Sequence, residues 1–518
     1  MVDRKLISRR QFVKGTAVLG AGAASAGALT GFTGAQQGSV PEKWDKEADV
    51  VVIGYGGSGA VTAITAHDAG ATVLVLEKQA EDKHTPSTMM SGGAFWTFKD
   101  KQDSKDFMKA TSMGLTPDDI CDVFAEYSTQ TLDWVRSIGG EPEGGGGVTE
   151  YEVPGAESYD GYYRVGGEGR TGGERLFKLF ASNVESREIE VVFNSPVKEL
   201  IKSSEGEIVG VLAESDGKPL AVKANKAVVL ACGGFEHDER MRMDYLKPHP
   251  FEFYANPGNT GDGIKMAQKV GAALWHMSSV GGRLICRWPD TPTGQIVGIG
   301  PAPYLLVGQD GKRYADEEPQ ARLHHAFLYT AMEFDWKRVR YVRDPSWFIF
   351  DEKRRLAGPI PNPGTGAVAV GLIPWSEDNS EEIEKGWIIA ADTVGELAEK
   401  IDLDADTLVE TVETFNQYCA DGEDLDFGRP AETLVPIDEP PFYAVKMVVG
   451  SWGTQGGPMR NAKCQVLDPD GNPMPRLYSA GELGSFFGQV YQGGGMLTEV
   501  IISGQIAGTN AAAEEPLA

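Results

Sequence analysis

Cysteine is scarce in this sequence, and its spacing excludes several kinds of site. The 518-residue chain contains 5 cysteines, namely Cys121, Cys232, Cys286, Cys419 and Cys464. No two of them form a C-x-x-C or C-x-x-C-H motif, so an iron–sulfur cluster, a structural zinc site and covalently attached haem have no basis in the sequence. We therefore predict no metal site.

Basic residues are also in the minority. Lys and Arg number 48 against 75 Asp and Glu, which gives a formal net charge of −27. Nucleic-acid binding depends on clustered Lys and Arg, so this balance argues against it. Two interpretations remain, a solvated acidic surface or an acidic face that docks a basic partner protein. With 41% hydrophobic and 24% charged residues, the chain has the composition of a globular protein, and it is long enough for two or more domains.

Long apolar runs are missing as well, and no segment is suited to a stable membrane span. The weakly apolar stretch from Gly15 to Phe32 is rich in glycine, which is costly in a helix. It follows Ser8-Arg9-Arg10-Gln11-Phe12-Val13-Lys14, which resembles a twin-arginine translocation signal. We interpret residues 1–35 as a signal peptide and expect export to the periplasm or another extracytoplasmic space. A chance basic pair before a buried helix and a membrane anchor are the alternatives.

The most informative segment present is Asp49 to Lys78, which has the pattern strand, glycine turn, helix, strand. Gly54, Gly56 and Gly59 have the G-x-G-x-x-G spacing of a dinucleotide-binding turn. Gly54 suits the tight turn, Gly56 lets the backbone approach a pyrophosphate, and Gly59 allows the following helix to pack closely on the strand. That helix is predicted to span about residues 58–69 and to direct its positive end at the phosphates.

An acidic residue completes this motif. After a second predicted strand over residues 72–76, the Glu77 carboxylate can accept both hydroxyls of an adenosine ribose. The motif predicts a bound dinucleotide and leaves open whether it is FAD or NAD.

Five motifs together resemble those of the flavoprotein family of fumarate reductase and 3-ketosteroid dehydrogenase. They are Gly54-Tyr-Gly-Gly-Ser-Gly59, Leu76-Glu77-Lys78, Ala231-Cys-Gly-Gly-Phe235, Thr260-Gly-Asp-Gly263 and Leu477-Tyr-Ser-Ala-Gly-Glu482. The resemblance implies an α/β protein with a discontinuous, Rossmann-like FAD-binding domain at residues 45–279 and 443–518. An α+β cap domain for the substrate would be inserted at residues 280–442, where the alternation of buried strand and helix is lost.

In that family the last of these motifs lies along the flavin half of the cofactor, which favours FAD over NAD. FAD would be bound non-covalently. The residues that we assign to it are Gly54, Gly56, Gly57, Ser58, Gly59, Glu77, Lys78, Ser91, Gly92, Gly93, Val197, Ala231, Gly233, Gly261, Asp262, Gly481, Glu482, Met496 and Leu497.

The catalytic residues follow from the ketosteroid dehydrogenase branch, which the segments around Gly450–Gly457 and Tyr491–Gly495 resemble more than they do fumarate reductases. By this resemblance the Tyr491 hydroxyl and the Gly495 N–H would bind a substrate carbonyl oxygen. Tyr163 resembles a helper tyrosine, with Tyr162 as the neighbouring alternative. The position of the proton-transfer residue in the cap is occupied by Ala321, so Arg322 is a candidate only with a shifted register, and a surface ion pair is its alternative.

These observations predict an exported FAD-dependent oxidoreductase acting on a C–C or C=C bond next to a carbonyl, with hydride transfer at flavin N5. A neutral, steroid-like enone is the first substrate hypothesis. A fumarate-type reductase of an unsaturated carboxylate and a non-catalytic flavin electron-transfer protein are the alternatives. Export and the absence of a haem-attachment motif favour reduction, with electrons from a separate haem-bearing or membrane-linked donor.

Overall fold

A computed structural model describes residues 40–297, 300–321 and 324–517. The predicted signal peptide and the candidate Arg322 lie outside the described residues.

The strands are distributed over the whole described chain. In chain order they are β1 (Lys46–Ile53), β2 (Val73–Leu76), β3 (Phe95–Phe98), β4 (Pro142–Gly144), β5 (Tyr159–Val165), β6 (Glu190–Val192), β7 (Val197–Lys202), β8 (Ile208–Ser215), β9 (Lys218–Leu230), β10 (Glu252–Phe253), β11 (Leu274–Trp275), β12 (Val280–Ile285), β13 (Leu305–Val307), β14 (Phe334–Asp335), β15 (Arg340–Tyr341), β16 (Ser346–Asp351), β17 (Ile389–Ala391), β18 (Phe442–Thr454), β19 (Gly457–Pro458), β20 (Gln465–Leu467) and β21 (Pro473–Ser479).

Helices lie between the strands along the chain, and the last element is a helix. They are α1 (Gly57–Asp68), α2 (Ser87–Met90), α3 (Lys101–Ser112), α4 (Asp118–Ser128), α5 (Thr131–Ser137), α6 (Gly172–Ser186), α7 (Glu239–Tyr245), α8 (Asp262–Val270), α9 (Glu318–Ala321), α10 (Phe327–Ala331), α11 (Glu352–Leu356), α12 (Gly366–Ala369), α13 (Ser380–Glu384), α14 (Val394–Lys400), α15 (Ala405–Asp421) and α16 (Gly495–Ala512), with short 3-10 turns at 81–83, 156–158 and 431–433.

The first sheet is built around β1, which pairs in parallel with β2 on one side and with β9 on the other. Its order is β20-β21-β9-β1-β2-β6, and a hairpin of β7 and β8 branches from β9. Val50, Val51 and Val52 are fully buried, because helices cover both faces of a parallel sheet and its strands are therefore apolar throughout. The predicted Rossmann-like architecture is confirmed.

Helices α1 and α16 pack on each other beside β1, and the first residues of each helix are among those predicted to bind the nucleotide. A Cβ atom on Gly504 of α16 would lie 2.8 Å from Val61 of α1, so the two helices meet at near-backbone distance. Almost every residue of α16 is buried, as expected for a helix that is apolar on all sides. Among the described residues no helix is long and apolar enough to cross a membrane.

The second sheet belongs to the cap, with the order β10-β18-β16-β13, and with β12 and β17 also paired to β18. It is mostly antiparallel, in agreement with the predicted α+β character. The sheet extends past both predicted limits of the cap, because β10 at Glu252–Phe253 and nearly all of β18 at Phe442–Thr454 lie in it. These two segments belong to the cap sheet because they form hydrogen bonds with strands that are distant in sequence, and such pairing cannot be recognised from the local sequence.

Candidate active site

A cavity of about 470 Å³ runs from the carboxyl ends of β1, β2 and β9 towards the cap sheet. This is where ligands bind in open α/β sheets. Most of the residues predicted to bind the cofactor line it, namely Gly54, Gly56, Gly57, Ser58, Glu77, Lys78, Ser91, Gly92, Gly93, Val197, Ala231, Gly233, Asp262, Glu482, Met496 and Leu497.

Three predicted cofactor residues, Gly59, Gly261 and Gly481, do not line the cavity. A Cβ atom on Gly59 would lie 2.0 Å from the Gly54 carbonyl oxygen, and one on Gly481 would lie 2.5 Å from the Ser58 hydroxyl oxygen. Gly261 caps α8 with a φ of 69°. These glycines therefore act through close packing and backbone conformation, and their assignment as cofactor-binding residues is corrected to a supporting role, which is the role that the motif gave Gly59.

The glycine turn fits the pyrophosphate of a dinucleotide. A Cβ atom on Gly56 would meet nothing closer than the Pro86 side chain at 4.0 Å, and one on Gly92 would project into open space. Both glycines line the cavity, so a bound group can approach their backbone closely. Gly57 and Ser58 at the start of α1 line the same region, and although the Gly57 N–H donates to the Thr88 hydroxyl at 3.1 Å, the positive end of the helix favours a phosphate there.

Glu77 is held at the end of β2 with its side chain buried. Its Oε2 accepts a hydrogen bond from the Tyr55 N–H at 2.8 Å, and its Oε1 accepts one from the Gln79 N–H at 2.8 Å. The neighbouring Lys78 donates to the Asp262 carboxylate at 2.7 Å. The acid is thus fixed where the sequence motif requires it, with lone pairs left for the hydroxyls of a ribose.

Glu482 forms a buried carboxyl pair with Glu236. Both Oε1 atoms accept from the same Thr454 N–H, at 3.0 and 2.7 Å respectively. Burial, and then the facing Glu236 carboxylate, raise the pKa of Glu482 well above its ordinary value. Because two close carboxylates cannot both ionise cheaply, the pair holds a proton at neutral pH.

The cap end of the cavity is lined by aromatic side chains. The Tyr491 ring lies 4.9 Å from the Trp452 ring, and Tyr254 lines the same space. Burial raises the pKa of Tyr491 far above its ordinary value, so its hydroxyl stays protonated. That hydroxyl accepts only a long contact of 3.4 Å from the Met496 N–H, which leaves its proton for a ligand.

The predicted partner of Tyr491 is placed differently. The Gly495 N–H donates to the Gln492 carbonyl oxygen at 2.9 Å, and Gly495 does not line the cavity. The turn that begins α16 therefore uses this N–H internally, so the predicted substrate contact of Gly495 is corrected.

Of the two candidate tyrosines on β5, Tyr162 rather than Tyr163 faces the cavity. Tyr163 points away from the cavity and donates to the Asp160 carboxylate at 2.7 Å. Tyr162 lines the cavity, and its hydroxyl accepts from the Gln492 amide at 2.7 Å. Successive side chains of a strand face opposite sides, so only one of the two can face the cavity. The assignment to Tyr163 is corrected in favour of Tyr162.

Arg283 on β12 is a cavity residue that the sequence reasoning did not find. Its side chain is 1% exposed, its Nη2 lies 2.5 Å from His325 Nε2, and its Nε and Nη1 make no hydrogen bond to the described residues. A buried guanidinium with unused N–H groups is costly unless a ligand accepts them. An arginine inside the small and apolar run Val280–Cys286 is the signal that could have revealed it.

His325 is in turn held by Glu150. His325 Nδ1 lies 3.0 Å from Glu150 Oε1, and the His325 backbone N–H donates to Glu150 Oε2 at 2.8 Å. Burial lowers the pKa of His325 below its ordinary value, and Arg283 adds to this lowering. Burial opposes ionisation of Glu150, but His325 and the N–H donors lower its pKa to about 2. Because Arg283 Nη2 can only donate to His325 Nε2, we expect a neutral His325 beside an ionised Glu150.

Comparison with known proteins decides the family. Residues 49–497 match the family model described as FAD binding domain. The chain belongs to this family. It is an FAD-dependent oxidoreductase of CH–CH groups, as are its relatives among the fumarate reductases and ketosteroid dehydrogenases.

The relatives cover nearly the whole chain. The chain is 29% identical to digoxin reductase of Eggerthella lenta, over 98% of both chains. It is 28% identical to 3-oxosteroid 1-dehydrogenase of Mycolicibacterium smegmatis, over 90% of this chain and 98% of the relative. The solved 3-ketosteroid Δ1-dehydrogenase of Sterolibacterium denitrificans superposes with a TM-score of 0.77 at 24% identity, over 90% of this chain and 100% of that one. This likeness confirms the fold, including the cap.

Among the described residues no group of three or more His, Cys, Asp or Glu side chains could hold a metal ion. The five cysteines are unpaired, and three of them are buried.

Proposed function

We propose that this flavoprotein reduces the C=C bond of an α,β-unsaturated carboxylic acid whose carboxylate binds Arg283. Reduced FAD, held by the glycine turn, Glu77 and the start of α16, would supply a hydride to the β-carbon, and a cap residue or water would supply a proton to the α-carbon. The observation that carries the substrate class is the buried Arg283 guanidinium, which lines the cavity with Nε and Nη1 unpaired. A carboxylate supplies two acceptor oxygens in the geometry of the guanidinium fork.

Aromatic side chains support a substrate with an apolar or aromatic body. Trp452, Tyr254 and Tyr491 lie on the same side of the cavity as Arg283, and the Trp452 N–H has no hydrogen-bond partner among the described residues. Flat rings offer a planar conjugated substrate a large contact area. The guanidinium and the Tyr491 hydroxyl would then stabilise the negative charge that develops on the carbonyl oxygen during reduction.

A neutral enone is the second candidate, and the Tyr491 hydroxyl favours it. Its high pKa keeps the hydroxyl protonated, and no strong acceptor takes the proton within the described residues. A phenol is a suitable donor to a ketone oxygen. In this case Arg283 would stabilise only the enolate that forms in the transition state.

We also propose export and an external electron donor. The sequence of residues 8–14 supports export through the twin-arginine pathway. A separate haem-bearing or membrane-linked protein would then supply electrons, since no haem-attachment motif is found in the sequence.

An anaerobic reoxidation experiment tests the substrate class. The flavin is reduced with dithionite, and its reoxidation is followed with an unsaturated acid, its methyl ester and the matching methyl ketone. We expect the acid to react fastest, and Arg283→Gln to slow it by about 10- to 150-fold, the value of a lost charge-assisted hydrogen bond. The matched control is Arg287→Gln, which removes the same charge from a residue that does not line the cavity.

Three outcomes separate the hypotheses. A faster reaction of the ketone, with no selective loss of acid turnover in Arg283→Gln, would overturn the carboxylate assignment and favour the enone. A large loss of ketone turnover in Tyr491→Phe would support the same alternative. A yellow protein that no member of the panel reoxidises would favour a non-catalytic electron-transfer protein.

A further inference from the structure

The Glu150 carboxylate joins three separate segments of the chain at the cap end of the cavity. It accepts the Gly493 N–H at 2.7 Å from the loop before α16, and the His325 N–H at 2.8 Å from the cap. It also faces His325 Nδ1 at 3.0 Å. The Glu150 and His325 side chains are only 7% and 9% exposed, so water does not compete for these bonds.

The contacts of His325 are satisfied by one tautomer. An ionised carboxylate only accepts, so the hydrogen must lie on Nδ1. The guanidinium of Arg283 only donates, so Nε2 must present its lone pair. A proton on Nε2 would bring two N–H groups together at 2.5 Å and place two positive charges side by side.

This tautomer fixes the orientation of Arg283. With Nη2 bound to His325, the guanidinium fork is held at one corner, and Nε and Nη1 are the groups left for a ligand. The charged and titratable groups that face His325 are Glu150, Arg283 and His324, with the Tyr491 ring 4.6 Å away. Glu150 is the one acid in this set, and it selects the Nδ1–H form together with Arg283, which can only donate to Nε2.

We propose that Glu150 and His325 are positioning residues. Glu150 fixes the tautomer of His325, and His325 holds Arg283 with its free N–H groups available to the carboxylate of the substrate. This inference rests on the proposed function, because it assigns the two residues a role in binding the acid. Neither residue is required to touch the substrate.

The first test compares Glu150→Gln with the wild-type enzyme. The amide has only one acceptor oxygen, so it cannot accept from Gly493, from the His325 backbone and from Nδ1 together, and its NH₂ group favours the opposite tautomer. We expect KM for the acid to rise at least about tenfold, relative to KM for the methyl ester, as for loss of one charge-assisted hydrogen bond. FAD content and thermal melting are measured to verify folding.

A second test uses His325→Gln and His325→Leu. A glutamine can donate to Glu150 and accept from Arg283, as the neutral histidine does, whereas a leucine can do neither. We expect His325→Gln to keep KM for the acid within about threefold of wild type, and His325→Leu to raise it at least about tenfold. For an acid that stays ionised, KM of the wild type should also rise at a pH below the ordinary histidine range, because burial lowers the pKa of His325 and its protonated form opposes Arg283. That acidic limb should be absent from His325→Gln.

The outcomes distinguish failure of the proposed function from failure of the positioning role alone. If Arg283→Gln leaves KM for the acid unchanged, the proposed function fails. If Arg283→Gln raises it but Glu150→Gln and His325→Leu do not, the positioning role alone is overturned. An acidic limb of equal size in His325→Gln would also contradict it, because glutamine does not titrate.

Discussion

The close contact between Gly59 and Gly54 gives a sharp prediction for Gly59→Ala. The added Cβ atom would lie 2.0 Å from the Gly54 carbonyl oxygen, about 1.4 Å short of an ordinary contact. Gly54 cannot retreat, because a Cβ atom at its own position would already lie 2.6 Å from the Ala231 carbonyl oxygen. The strain must therefore be relieved by moving α1 away from β1.

The displacement should weaken FAD binding more than it weakens folding. In the absence of cofactor the helix can shift, but binding FAD requires its N-terminal N–H groups to return to the phosphates. Overpacking of this kind costs about 1–3 kcal/mol, which corresponds to a rise of about 5- to 150-fold in the dissociation constant of FAD. This dissociation constant is measured by titrating the apoprotein with FAD and monitoring the quenching of flavin fluorescence.

Gly395→Ala is the matched control. Gly395 lies in α14 without positive φ, and a Cβ atom there would meet nothing closer than 3.9 Å. Alanine is favoured over glycine in a helix by about 1 kcal/mol, so this variant should be slightly more stable and bind FAD as the wild type does. If both variants bind FAD equally well, the close helix–strand contact does not support the nucleotide site and the reasoning is refuted.

Three further predictions concern the β5 tyrosines, the carboxyl pair and the leader. Tyr162→Phe should lower turnover and, through loss of the Gln492 hydrogen bond, cost about 1 kcal/mol of stability. Tyr163→Phe should have turnover and thermal melting near those of the wild type. Equal effects of the two variants would contradict the assignment of Tyr162 to the cavity. Because the pKa of Glu482 is raised in the folded protein, stability should fall as pH rises from 4.5 towards the raised pKa, and Glu236→Gln should flatten this decline in Tm. An unchanged slope would argue against the pair. Replacing Arg9 and Arg10 together by Lys should retain the protein in the cytoplasm, as cell fractionation would detect, and normal export would exclude the twin-arginine pathway.

The nucleotide half of the site could be predicted because its signals are local. The turn at Gly54–Gly59 and the acid Glu77 lie within one βαβ unit, where glycine spacing and strand pattern leave few alternatives. The predicted helix over residues 58–69 is observed at Gly57–Asp68. The Asp216-Gly217 pair is likewise a local signal, because two such residues suit a tight turn, and it joins β8 and β9.

Prediction was weaker where long-range pairing decides the structure. The long strand β9 pairs with β1 along both of its parts, and a register shift opposite Ala48 and Val50 of β1 lets the pairing continue. The predicted end of the cap, residue 442, lies at the start of β18, which pairs with strands of the cap sheet.

By itself, the sequence predicted a dinucleotide site, since glycine spacing, an acid and apolar periodicity act within a few tens of residues. FAD and the two-domain architecture followed from the resemblance of five motifs to a flavoprotein family. For the helper tyrosine the sequence offered Tyr163, with Tyr162 as the alternative, and did not show which of the two faces the cavity. Only the tertiary structure selected Tyr162, engaged the Gly495 N–H inside a turn, and brought Arg283, His325 and Glu150 together. These three residues come from segments far apart in the chain, and their chemistry exists only when folding buries them in one place.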